Sequence, residues 1–130
     1  MTTATPFLMF QGDAQAAIDL YLATLPDTRV LDLKRHPAPT SNGGTVMLAR
    51  VAICGREFLF SDSPPVHAFT FTPSSSIFVE CAGADELERL FTTLSEGGSV
   101  LMPLDDYGFS RRFGWLADRF GVSWQLNLAH

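Results

Sequence analysis

Nine side chains in this chain have the chemistry to hold or transform a small molecule. They are the carboxylates Asp62 and Glu80, the hydroxyls Ser76 and Tyr107, the amide Gln125, the cation Arg112 and the rings Phe60, Phe78 and Trp115. Two carboxylates flanking one substrate can share acid and base work, provided both face the same cavity. Asp62 and Glu80 form such a pair, or else are solvated strand ends; Glu80 has the further option of pairing with an arginine. Arg111 and Arg112 precede a Trp-bearing segment, and a guanidinium there could clamp a carboxylate or phosphonate. Neighbouring strand residues point to opposite faces, so only one of the two can do so. Tyr107 could close over a ligand or simply pack. Trp115 and Trp124 could stack on a ligand or fill a core, and Asp118 suits a turn better than chemistry.

Other chemistries have little to stand on. Cys54 and Cys81 lie outside any Cys-x-x-Cys pair and beside no histidine, so both are expected to be buried, reduced thiols. His36, His67 and His130 fall in a Pro-rich loop, a linker and the terminus. The formal charge is −5 with a pI near 4.9, and the basic residues are scattered. That disfavours a nucleic-acid partner, which requires a basic face. No apolar run approaches the roughly 18 residues of a membrane span, and no signal-peptide pattern is evident. A cytoplasmic protein is the expectation.

The elements that must position these side chains follow from periodicity. With 46% hydrophobic residues, 18% charged residues and 11 Phe, the chain can bury a substantial core. Phe7 to Phe10 reads as a short buried strand, and Asp13 as the N-cap of a helix over 14–25 whose apolar side carries Ala14, Ala17, Ile18, Tyr21, Leu22 and Leu25. Pro26 stops it. Strands over 28–35, 45–53 and 56–61 follow, the last two joined by a hairpin at Cys54-Gly55. The order then repeats: a strand over 76–81, a helix over 83–94 with Leu87, Leu90, Phe91 and Leu94 inward, and strands over 99–104, 113–116 and 122–128. The spacing predicts an α+β fold of two βαβββ modules, about 5–62 and about 74–130, joined by a linker at about 63–73 within one domain. Their strands are expected to form a curved mixed sheet around a cavity with the helices outside.

This duplicated order, together with particular residues, resembles the vicinal oxygen chelate superfamily and most closely its PhnB-like, 3-demethylubiquinone-9 3-methyltransferase-like branch. The carriers are Phe7 to Ala14 with Ile18 to Tyr21, Phe69 to Pro73 leading to Ser76 to Cys81, Leu94 to Gly98 with Met102 to Leu104, and Tyr107 to Gln125. The resemblance implies a glyoxalase-like fold and a homodimer. Metal-dependent members place ligands in the first and last strand of each module. Here those places correspond to Pro6, the stretch Phe58 to Asp62, Ser76 and Gln125, a weak set for a divalent ion, so no metal is expected. No G-x-G turn opens a helix, so no nucleotide-like cofactor is expected either. The leading expectation is a protein that binds a small apolar or aromatic molecule without a catalytic metal. The alternatives are a lyase-, isomerase- or dioxygenase-like enzyme with a degenerate metal site, and a dimeric structural or interaction protein.

Overall fold

The computed structural model describes all 130 residues. The chain divides into two compact units, Met1–Ala68 and Phe69–His130. The first contains β1 (Phe7–Phe10), α1 (Ala14–Thr24), β2 (Arg29–Arg35), β3 (Val46–Ile53) and β4 (Arg56–Asp62); the second contains β5 (Ser76–Glu80), α2 (Ala84–Ser95), β6 (Ser99–Asp105), β7 (Arg112–Ala117) and β8 (Ser123–Leu128). The class is α+β and the two modules repeat the βαβββ order. Hydrogen bonding closes a four-stranded mixed sheet within each module, β1-β4-β3-β2 in one and β5-β8-β7-β6 in the other. In each, the first strand runs parallel to the last and the remaining pairs are antiparallel.

Local chemistry explains most of these elements. In α1 the buried side chains Ala14, Ala17, Ile18, Tyr21 and Thr24 recur at three- and four-residue spacing, a helix face pressed on β3 and β4. Leu22, expected inward, is 39% exposed. The helix α2 buries Leu87, Leu90 and Leu94 against β6, β7 and β8. Its early Asp85 and Glu86 suit the helix dipole, and Glu86 accepts a bond from the Ala82 N–H at 3.0 Å. The β3–β4 hairpin turns through Cys54 and Gly55 at φ of 51° and 81°, the positive values a tight two-residue turn demands. Cys54 is exposed at this turn, contrary to the expectation of burial; Cys81 is buried.

The cap of α1 also differs from expectation. Asp13 makes no side-chain cap bond. The carboxylate of Asp62, at the far end of β4, replaces it: Oδ1 accepts from the N–H groups of Gly12 (2.8 Å) and Ala14 (3.0 Å), and Oδ2 from that of Val46 (3.0 Å). Asp62 is 1% exposed. One buried anion thus ties the start of α1, the start of β3 and the end of β4 together, with its charge at a helix N-terminus.

Candidate functional site

Strand register decides which side chains share a surface. In the second module Arg112 reaches Glu88 of α2 at 2.6 Å, and a Cβ on Gly114 would meet Phe91 of α2. The even-numbered residues of β7 therefore face the helix, and Phe113 and Trp115 face away. Cross-strand pairing carries that assignment over the sheet. The helix-free face consists of three rows: Glu80, Asn127, Phe113 and Asp105; Phe78, Gln125, Trp115 and Met102; Ser76, Ser123, Ala117 and Ser99.

Five of the nine candidates lie in these rows: Ser76, Phe78, Glu80, Trp115 and Gln125. Tyr107 joins them from the β6–β7 loop, its ring 6.1 Å from Phe113 and edge-on, its hydroxyl donating to the Pro103 carbonyl at 2.6 Å. Phe109 lies 5.0 Å from Phe113 and Phe78 lies 6.4 Å from it. Phe113 is buried beneath them, whereas Phe78, Phe109 and Tyr107 are 52%, 59% and 39% exposed. Exposed aromatic rings grouped around a buried one form a ready contact surface for a flat apolar molecule.

A polar chain crosses the adjoining rows. Trp115 donates from Nε1 to Ser123 Oγ at 2.8 Å, Ser123 and Ser76 share a hydrogen bond at 2.6 Å, and Gln125 donates from Nε2 to Ser76 Oγ at 3.2 Å. At the other end of β8, Asn127 donates from Nδ2 to both carboxylate oxygens of Glu80, at 3.0 and 3.1 Å. Hydroxyls, amides and one carboxylate are thereby fixed in place beside the rings.

Three candidates lie elsewhere. Arg112 is on the helix face in its ion pair with Glu88, so it cannot clamp a ligand on the opposite face. Phe60 and Asp62 belong to the first module and face α1: Phe60 stacks on Phe10 at 5.5 Å and meets Tyr21 at 6.0 Å, and Asp62 is committed to its three backbone donors. The side chains of β4 that face away from α1 are Leu59 and Ser61, one residue out of step with that reading. Asp62, buried and so engaged, is not available for a catalytic pair with Glu80. Trp124 is wholly buried on the helix side of β8 and donates to Asp118 Oδ2 at 2.9 Å, the core role. Asp118 Oδ1 also accepts from the N–H groups of Phe120 and Val122, so it fixes the turn.

Sequence reasoning missed Ser123, Asn127, Phe109 and Phe113. The alternation of β8 placed Ser123 and Asn127 on the Gln125 face, but only the register showed what stands beside them.

The donor set can be tested against the metal ion and the cofactor that such folds suggest. No group of three or more His, Cys, Asp and Glu side chains gathers where an ion could sit. Ser76 and Gln125 do lie on one face, but a neutral hydroxyl and a neutral amide offer a divalent ion little. At the two strand-to-helix turns, carboxylates of the chain itself already hold N–H groups: Asp62 those of Gly12 and Ala14, Glu86 that of Ala82. Neither turn has the G-x-G pattern. These residues fit neither group.

Comparison with known proteins agrees with the architecture. A family model described as 3-demethylubiquinone-9 3-methyltransferase matches residues 2–127. A PhnB protein structure from Bacillus cereus is 40% identical, with a TM-score of 0.93, covering 98% of this chain and 100% of that one. Protein YjdN of Escherichia coli strain K12 is 23% identical over 138 residues, covering 95% of this chain and 93% of that protein. A glyoxylase/bleomycin resistance protein/dioxygenase domain from Frankia shares the fold at 14% identity, with a TM-score of 0.64, covering 100% of this chain and 93% of that one.

Proposed function

Since the chain belongs to the 3-demethylubiquinone-9 3-methyltransferase family, the PhnB-like branch of the vicinal oxygen chelate superfamily, we propose that it binds a small aromatic molecule on the helix-free face of its second module. The observation that carries this reading is the exposed cluster of Phe78, Phe109 and Tyr107 over Phe113, adjoining the fixed polar chain of Ser76, Ser123, Trp115 and Gln125. Stacking on the rings supplies affinity, and the polar chain orients the ligand. The reading invokes no catalytic metal and no methyl donor, because the available donors suit neither. It takes the two modules as one functional domain of a cytoplasmic protein that pairs as a homodimer. The site residues are Ser76, Phe78, Glu80, Tyr107, Trp115 and Gln125; Phe60, Asp62 and Arg112 are given structural roles.

Binding of planar aromatics such as indole derivatives, followed by calorimetry and by the rise in melting temperature with concentration, tests the proposal. Saturable binding by the native protein, weakened at least tenfold in Phe78→Ala, is expected. A panel of aromatics with no saturable binding refutes it. Elemental analysis of the purified protein addresses the metal: a stoichiometric transition metal lost in Gln125→Ala would refute the metal-free reading and favour an enzyme. Light scattering at graded concentrations tests the homodimer.

A further inference from the structure

We propose that the ligand of this face is an aromatic amine carrying a positive charge, an inference that rests on the binding site just described. The face's own contacts engage most of its donors. Trp115 donates to Ser123, Gln125 to Ser76, Asn127 to Glu80 and Tyr107 to Pro103. None of the residues in the three rows is a lysine, arginine or histidine. Arg112 is turned to the other face by Glu88, and Arg111, one residue before β7, stands outside the rows at the rim of the face.

Acceptors and negative charge remain. Glu80 is exposed, and its two oxygens take only the Asn127 amide, which leaves lone pairs for an incoming donor. Asp105 stands in the same row. Asn127 is 6% exposed, and its Oδ1 has no hydrogen-bond partner at all. The orientation of that amide is set by chemistry: a carboxylate only accepts, so the nitrogen must face Glu80 and the oxygen must turn away. A buried acceptor without a donor is unfavourable, and the site becomes better satisfied when a donor enters beside it. Phe78 precedes Glu80 by two residues on the same face, roughly 7 Å along the strand. An ethylammonium arm can bridge from a ring stacked on Phe78 to the Glu80 carboxylate. An anion beside Glu80 would meet that carboxylate's charge with no lysine, arginine or histidine in the three rows to offset it.

Three indoles of similar shape test the charge preference: tryptamine, 3-ethylindole and indole-3-acetate, titrated into the full chain by calorimetry at constant ionic strength. Tryptamine is expected to bind at least roughly tenfold tighter than 3-ethylindole, the scale of one charge-assisted hydrogen bond, and indole-3-acetate more weakly than either. Glu80→Gln keeps an acceptor for Asn127 and should erase the advantage of tryptamine over 3-ethylindole. Equal binding of all three, or preference for the acetate, overturns the amine assignment but leaves the aromatic site standing. Acetate binding that disappears in Arg111→Ala would show an anion site at the rim and overturns it likewise. Failure of all three to bind overturns the binding site and this inference together.

Discussion

Replacing Asp62 distinguishes a structural anchor from a ligand-binding carboxylate. Its carboxylate accepts from three backbone N–H groups at 2.8, 3.0 and 3.0 Å. In Asp62→Ala the N–H groups of Ala14 and Val46 stay buried without a partner, at a cost of about 1–3 kcal/mol each. The Gly12 N–H is only partly buried and regains water. Adding the lost favourable charge at the start of α1, about 0.3–1 kcal/mol, gives a destabilisation near 4 kcal/mol. With an unfolding entropy of about 2.1 cal/mol/K per residue, a chain this long should lose roughly 15 °C in melting temperature. Asp62→Asn keeps one acceptor for Gly12 and Ala14 but turns its amide hydrogens toward the Val46 N–H, so about 2 kcal/mol is expected. Equilibrium denaturation in urea, with the melting temperature as a second measure, provides the assay. An Asp62→Ala protein within 1 kcal/mol of native stability would refute the reasoning. So would a variant of native stability with abolished aromatic binding.

Further outcomes follow from the same geometry. Asp118→Ala should cost about 3 kcal/mol or more in denaturant unfolding, since it strips the partners from the Phe120 and Val122 N–H groups and from the buried Trp124 indole; Trp124→Phe in the same background should then cost less than it does alone. Gly114→Ala would place a Cβ 2.5 Å from Phe91 and 2.7 Å from Leu104, and the forced repacking under α2 should lower stability by about 1–3 kcal/mol. Arg112→Ala should shift stability by less than about 1 kcal/mol, because its partner Glu88 is largely solvated, and should leave aromatic binding unchanged; loss of binding would restore the arginine to the site.

Much of the fold was legible because its signals are local. The α1 and α2 patterns rest on three- and four-residue spacing, the Cys54-Gly55 hairpin on two residues that tolerate a tight turn, and the final hairpin on Asp118 and Gly121. The proposed site was legible in part for a related reason. Ser76, Phe78 and Glu80 alternate along one strand and Gln125 lies on another, so period two groups them once the pairing is known. The errors arose where a decision depended on distant partners. Asp13 has the right type and place for a cap, yet a carboxylate nearly fifty residues away takes the N–H groups there. Arg112 and Arg111 are equivalent in sequence until Glu88 on α2 selects one for the helix side.

The sequence by itself determined the two βαβββ modules, the family and the supply of aromatic and polar side chains, because periodicity, turn chemistry and residue type are properties of short segments. Tertiary structure decided which of those side chains meet. A shift of one residue on a strand exchanges the face under a helix for the face away from it. That step places Phe60 and Asp62 beneath α1, and it leaves Phe78, Glu80 and Gln125 together on the face away from α2.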